Sequence, residues 1–413
     1  MTLNIGIVGA SIAGMACAIE LQRLGLTVTV FEKSSGKARQ NGAGMMLPLD
    51  LMRSLLERNL IAADFEGILI NEFSTFVAIP QQGLHFLTTT PLQGMCIRWK
   101  TLYETLQKNI DRPRCHYNCN VTQIIDQKDQ VELTINNHNR IKVDYLICAD
   151  GYESIGRKTI FPKVHPEFSH YIAWRGVIQL DGGTLTELHG RPYNNEYYRY
   201  LYENGHLLIY PIPASAEDKY GGEKHLLNWV LYEKITPSHP LFKNNPALAK
   251  QNFAPGTLPK SHCAYLTELT GYYFSGFPCS LIKKTVDPFV QPIFDVFVPH
   301  YVKGRICLVG DASILLRPHV GSNATKALKD AIALSNTVAR ELKSSTAPDI
   351  SLAFKRWEGD QQKFAKQLFP LSRALGNLLV THVPDLTTLT KEHMDELWKQ
   401  TVSKYEWYGN SKL

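Results

Sequence analysis

Residues Leu3 to Glu32 carry a strand, a glycine turn, a helix, a second strand and an acid in fixed order, and few folds accept that order. Leu3-Asn4-Ile5-Gly6-Ile7-Val8 has the β-branched character of a short buried strand, and Ile12 to Leu24 places apolar residues around a helix. Between them lies Gly9-Ala10-Ser11-Ile12-Ala13-Gly14. In such a turn the first glycine permits a tight bend, the middle position lets backbone approach a phosphate, and the last lets helix pack on strand. Ser11 fills the middle position. Its hydroxyl can donate to a phosphate oxygen at the helix N-terminus, where free N–H groups and the helix dipole favour anions. Thr27-Val28-Thr29-Val30-Phe31 reads as the second strand. Glu32, followed by Lys33, closes it at the spacing of an acid that accepts from ribose hydroxyls and repels a 2′-phosphate. The stretch predicts a cradle for an adenine dinucleotide, held by Gly9, Ser11, Ile12, Ala13, Gly14, Glu32 and Lys33. The competing reading, a glycine-rich turn of some other α/β protein, leaves the register of strand, helix and acid unexplained.

A chain of 413 residues suffices for two or three domains and a large core. The net charge of +6 is scattered rather than massed in a run. It leans weakly toward small anionic ligands and, without a basic arm or zinc-finger spacing, away from nucleic acid. The first strand begins almost at the N-terminus, with no leader-like pattern, and no apolar run approaches the length of a membrane span. The expected location is therefore cytoplasmic, without stable membrane insertion. Among eight cysteines, Cys17, Cys148 and Cys307 sit in apolar patterns, as small hydrophobes do. Cys115 and Cys119 flank His116, yet no second pair has zinc-site spacing, so no metal is expected.

Further along, Val121 to Asp126, Gln130 to Ile135 and Arg140 to Cys148 read as a three-stranded meander ending in Ala149-Asp150-Gly151. Tyr171 to Tyr232 is rich in aromatics and strand-like runs, among them Tyr197 to Tyr202, His206 to Tyr210 and Leu226 to Leu231, and predicts a largely antiparallel sheet. Prolines and glycines crowd Pro237 to Pro259, as in a loop-rich cover. Arg305 to Val309 is again strand-like, and Thr325 to Leu342 is helical in pattern. This return of α/β character predicts a discontinuous, Rossmann-like α/β domain (residues 1–70, 95–165 and 295–350) interrupted by a mainly antiparallel β-rich insert (71–94 and 166–294). Residues 351–413 hold C-terminal helices over Leu352 to Ala374 and Lys391 to Tyr405, whose apolar faces suit core packing or a homodimer contact.

Three separated motifs coincide: the Gly9 to Gly14 turn with Glu32; Asp150-Gly151 with Ser154 and Arg157; and Gly310-Asp311 followed by Pro318, Gly321 and Ala327. Together they resemble the single-component FAD-dependent aromatic hydroxylases, the class A flavoprotein monooxygenases. Ala173-Trp174-Arg175-Gly176, Leu208-Ile209-Tyr210-Pro211-Ile212-Pro213, Asn228-Trp229-Val230, Gln291-Pro292-Ile293-Phe294-Asp295 and Arg317-Pro318-His319 extend the likeness toward the 2,6-dihydroxypyridine 3-monooxygenase-like branch. It covers roughly the first 340 residues.

The resemblance implies FAD as cofactor, NAD(P)H as co-substrate and O2 as oxidant, hydroxylating a small aromatic or heteroaromatic substrate through a flavin C4a-hydroperoxide. It places Asp311 on the ribityl chain and Gly321-Ser322-Asn323-Ala324 at the pyrimidine end of the flavin, with Asn323 standing where glycine is common. Asp150-Gly151 corresponds to the element touching flavin and nicotinamide nucleotide. Arg39 corresponds to the arginine near the flavin phosphates, and Arg98, or Trp99 in the neighbouring register, to the residue covering the cofactor. Arg175 and Tyr210 are the implied substrate residues, Arg175 orienting the flavin or an acidic group and Tyr210 bonding the substrate or relaying its proton. His319 is a third candidate, as an imidazole of near-neutral pKa, and Trp174 is expected to pack. Two other functions share the motifs: a monooxygenase that modifies a natural product or antibiotic, and a flavin-binding protein without productive catalysis.

Overall fold

The structure is a computed structural model and describes residues 3–36, 44–111, 114–179, 187–188, 191–192, 195–214, 225–344 and 346–405. Two sheets organise it. The first has six strands in the order Val302–Lys303, Ile306–Leu308, Tyr145–Cys148, Asn4–Val8, Thr27–Phe31 and Cys115–His116. All its pairings are parallel except that between the first two strands. Ile7 faces Val30 on one side and Ile147 on the other, and Ile147 faces Cys307, so the centre reads as continuous apolar strands buried on both faces. Helices Ile12–Gln22 and Asn323–Ser344 pack together on this sheet, and Ile350–Gly376 packs on the latter. Every residue of the first helix from Ile12 to Leu21 is buried, which suits a surface apolar but for Glu20, whose carboxylate pairs with Arg58 and accepts from Ser335 Oγ.

The second sheet has nine strands, ordered Ile314–Leu315, Phe289–Phe297, Glu167–Ile178, His225–Lys234, Gly205–Pro213, Tyr197–Tyr202, Ile68–Ile79, Gly83–Arg98 and Gly44–Leu47. Only Tyr197–Tyr202 and Ile68–Ile79 run parallel, so the expected antiparallel character holds. Alternate residues go to opposite faces. Tyr198, Tyr200 and Tyr202 join Trp174, Trp229 and helices Lys260–Tyr273 and Phe277–Lys283 in one core. Trp174 packs there as expected, its Nε1 donating to Glu233 Oε2 at 2.7 Å, while Tyr265 donates to the other carboxylate oxygen. The opposite face carries Tyr171, Ala173, Leu201, Val230 and Tyr232 against Leu379, Val380 and Met394 of the C-terminal region.

The expected meander divides differently. Val121–Asp126, Val131–Ile135 and Asn139–Val143 form a small antiparallel sheet, whereas Tyr145–Cys148 leaves it for the parallel sheet. Asp144 marks the break, its carboxylate accepting from Asn4 N at 2.7 Å as the chain moves alongside the first strand. No helix among the described residues is long and apolar enough to cross a membrane.

Candidate functional site

The glycine turn is held by close packing. A Cβ on Gly9, whose φ is +97°, would lie 2.5 Å from the Ala149 carbonyl oxygen, and one on Gly14 would lie 1.9 Å from that of Gly9. Ser11 is exposed and caps the following helix without a side-chain bond, and no acid occupies the first helical turn. The first-turn N–H groups therefore point outward with no intrahelical partner. Glu32 Oε2 accepts from Ala10 N and Oε1 from Ser34 N, both at 2.8 Å, which fixes the carboxylate beside the turn. Lys33 is exposed, and Arg39 lies outside the described residues.

Arg157 stitches the other two motifs together. Its guanidinium is fully buried and donates to the Asp311 and Ala312 carbonyls at 3.2 and 3.1 Å, and to that of Tyr152. Asp150 is turned away from the cavity. Its carboxylate accepts from Ser154 Oγ, Ile155 N and Gly156 N, capping the helix Ile155–Ile160. Its neighbours Ala149, Gly151 and Tyr152 line the cavity in its place. Gly310, at φ +58°, donates to Asp330 Oδ2 at 2.9 Å, which pins the next turn to the long helix. The Asp311 carboxylate then faces the cavity, hydrogen-bonded to no described residue, and burial raises its pKa from 3.8 to about 6 against the pull of Lys326 and Arg157.

A cavity of about 630 Å3 joins these pieces. Ser11, Ile12, Ala13, Asp311, Gly321, Ser322, Asn323 and Ala324 line one part, and Arg175 and Tyr210 line another. Gly321 takes the left-handed conformation, at φ +60°. Asn323 needs none: it opens the helix and donates from Nδ2 to the Leu316 carbonyl at 3.0 Å, a tie that glycine lacks. Arg175 Nη1 donates to Gln291 Oε1 at 2.9 Å, and its Nε is buried without a partner among the described residues. Tyr210 stacks on Tyr197 at 4.5 Å and donates to the Gly44 carbonyl at 2.7 Å.

Three expectations are corrected. Tyr210 has spent its proton on a backbone carbonyl and burial pushes its pKa well up, so it offers lone pairs rather than a proton relay. His319 does not line the cavity; its Nε2 meets the Tyr171 hydroxyl at 2.9 Å and its ring packs among Tyr171, His206 and Tyr232. Burial and the nearby His206, Arg199 and Arg317 hold its pKa well below neutrality. Arg98 is buried at the end of its strand, and the adjacent wall position belongs to Trp99. Residues not anticipated from sequence include Tyr197, Tyr232, Met45, Met46 and Phe289, all on the wall. Alternation along Tyr197–Tyr202 could have singled out Tyr197, since Tyr198 and Tyr200 fit the opposite core.

The buried histidines have a measurable consequence. Burial, with Arg199 adding repulsion, lowers the His206 pKa from 6.5 to about 3. Below pH 6.5 the unfolded chain takes up a proton that the folded chain refuses until about pH 3, so stability falls as pH drops through that window. Thermal denaturation at pH 7.5 and pH 5 should show the loss, and His206→Asn should reduce it, the remainder coming from His319.

Residues 3–152 match the pyridine nucleotide-disulphide oxidoreductase family, and residues 168–295 match the FAD binding domain-like family. Fold and site together make the chain similar to FAD-dependent monooxygenases along most of its length. Among named proteins, the chain is similar to the 2,6-dihydroxypyridine 3-monooxygenase of Paenarthrobacter nicotinovorans, 23% identical over 377 residues and covering 87% of each chain. A salicylate hydroxylase of Pseudomonas putida is 24% identical over 359 residues, spanning 81% of this chain and 76% of that one. The structure of 2,6-dihydroxypyridine-3-hydroxylase from Arthrobacter nicotinovorans superposes with a TM-score of 0.78 at 23% identity, over 92% of this chain and 93% of that one.

The residues present fit FAD. An open helix N-terminus with no acid in its first turn suits a pyrophosphate, and the Gly9 to Gly14 approach leaves no room for side chains there. The unpartnered Asp311 carboxylate suits a polyol hydroxyl.

Proposed function

We propose that this protein uses NAD(P)H and O2 to hydroxylate a planar aromatic or heteroaromatic substrate, with FAD held by Ser11 to Ala13, Glu32, Asp311 and Gly321 to Ala324. The observation that carries the reading is the continuity of one cavity from the glycine turn and Asp311 to a wall of Arg175, Tyr197, Tyr210 and Tyr232. When bound, FAD supplies acceptance of electrons from the nicotinamide and activation of dioxygen. The chain does the rest. Tyr197, Val230, Phe289 and Ile293 offer apolar surface to a ring and keep water from it. Arg175, with donors left over from Gln291, orients an acceptor group on that ring. Tyr210 accepts a hydrogen bond from a ring hydroxyl through its remaining lone pair. The N-terminus of the helix Asn323–Ser344, with no acid in its first turn, places positive dipole beside the cavity and favours negative charge there.

The test is to purify the protein, record its visible spectrum, and screen hydroxylated pyridines and benzoates for stimulated NAD(P)H oxidation coupled to O2 uptake. An isotope-labelled oxygen atom should appear in the product. A preparation without flavin, or reductant consumption with no oxygenated product from any ring, sinks the proposal. Tyr210→Phe should raise KM for hydroxylated rings several-fold. It should also lower stability by about 1–2 kcal/mol, because the Gly44 carbonyl loses its buried donor; steady-state kinetics and thermal denaturation read the two effects separately.

A further inference from the structure

The cavity floor contains one cross-strand row. Register places Arg175 opposite Val230, Val230 opposite Leu208, Leu208 opposite Arg199 and Arg199 opposite Thr75. Arg175, Val230 and Leu208 line the cavity, and Arg199 comes next, one strand spacing of about 4.8 Å beyond Leu208. It is 8% exposed. Its guanidinium lies 4.4 Å over the Phe73 ring and 5.5 Å from the Trp398 ring. Phe73 meets Tyr197 edge-on at 5.2 Å, and Tyr197 is a wall residue, so one layer of side chains separates this cation from the ligand space.

No described carboxylate pairs with Arg199, and its Nε is buried without an acceptor among the described residues. Glu196, just before its strand, is engaged elsewhere and accepts from Ser74 Oγ at 2.8 Å. The other polar or titratable neighbours are the Tyr197 hydroxyl on the same strand, Thr75 across from it, and the histidines His206 and His319, both held neutral. Burial pulls the pKa of Arg199 down to about 10, which still leaves it charged at neutral pH. A buried cation without a counter-charge is costly, and an anion arriving in the cavity offsets that cost through a medium of low dielectric.

We propose that Arg199 is a specificity-determining residue that acts through its field: it biases the cavity toward a ring ionised as a phenolate or enolate and against the neutral isostere. This rests on the cavity being the substrate site. Arg175 contacts the ligand, whereas Arg199 acts from behind the wall, so its effect falls on ionisation rather than on shape.

The experiment titrates para-nitrophenol and its uncharged isostere para-nitroanisole into the flavin-loaded protein, following the nitrophenolate band across pH. The wild type should bind the phenolate about tenfold more tightly than the anisole and lower the apparent pKa of bound nitrophenol by about one unit. Arg199→Met should abolish both effects while leaving anisole affinity and flavin absorbance unchanged, and Arg199→Lys should restore most of them. Thr75→Glu sets a counter-charge across from the arginine without touching the cavity, and should reproduce the Arg199→Met result if that variant does not fold. The proposal is overturned if the wild type binds neither probe or shows no preference, if Arg199→Met weakens both probes equally, or if the charge-compensated variant keeps the wild-type preference. Absence of flavin absorbance in the wild type would instead sink the monooxygenase reading, and the probe titration can still be read on that protein.

Discussion

Replacing Gly14 by alanine is expected to cost the protein its flavin and at least about 3 kcal/mol of stability. The added methyl group would sit 1.9 Å from the Gly9 carbonyl oxygen, and Gly9 is itself pressed against Ala149. Neither neighbour is a flexible side-chain tip that can swing aside. Overpacking in well-filled interiors commonly costs about 1–3 kcal/mol, and a clash between two backbone segments lies at or above the upper end. The helix Ile12–Gln22 would have to shift from the sheet, carrying its first-turn N–H groups away from the phosphate position. Flavin content after purification and the thermal midpoint measure the two losses together. A Gly14→Ala protein with wild-type colour and melting temperature would refute the placement of this turn.

Asp311→Ala is expected to separate cofactor binding from stability, with opposite signs. A hydrogen bond to a charged acceptor contributes about 1.5–3 kcal/mol, so losing this carboxylate should weaken FAD binding by roughly tenfold to a hundredfold. The apoprotein should melt no lower than the wild type, and at neutral pH somewhat higher. Its carboxyl group has a folded pKa raised from 3.8 to about 6, so the fold disfavours the ionised form that predominates at pH 7. That penalty is relieved as pH falls from about 6 toward 3.8. The same logic makes wild-type FAD affinity decline as pH falls through 6, because a protonated acid accepts poorly. Fluorescence titration of the apoprotein at pH 7.5 and pH 5 should show a decline in the wild type and a flat response in the variant.

The Leu3 to Glu32 segment was legible because each of its parts is local: strand, turn and helix are set by periodicity and glycine placement. The strands Tyr197–Tyr202 and His225–Lys234 and the helices Asn323–Ser344 and Ile350–Gly376 announced themselves in the same way. What escaped was direction and distance. Asp150 and His319 both sit in recognisable motifs, yet each side chain turns inward to satisfy a helix cap or an aromatic cluster, and nothing in the spacing fixes that rotation. Arg98 and Trp99 differ by one residue at a strand-to-helix boundary, the place where a period of two gives way to 3.6 and facing is least determined. The sixteen-residue strand Gly83–Arg98 runs through Pro91, which donates nothing to the ladder and reads as a strand end, and it continues because it pairs along Ile68–Ile79. Arg199 looked like one more scattered basic residue; only the packing of Phe73 and Trp398 around it shows that it is enclosed.

Interleaving on the nine-stranded sheet has a consequence for how such a protein can change. Odd positions share the cavity's face of the sheet, with Tyr197 on the wall and Arg199 one layer behind it, while Tyr198, Tyr200 and Tyr202 carry the hidden packing on the other face. Selectivity and robustness are therefore written on the same strands in alternating letters. A library that randomises only the inward-opening letters should yield many folded members with altered ligand choice, whereas one shifted by a single register should yield mostly aggregates.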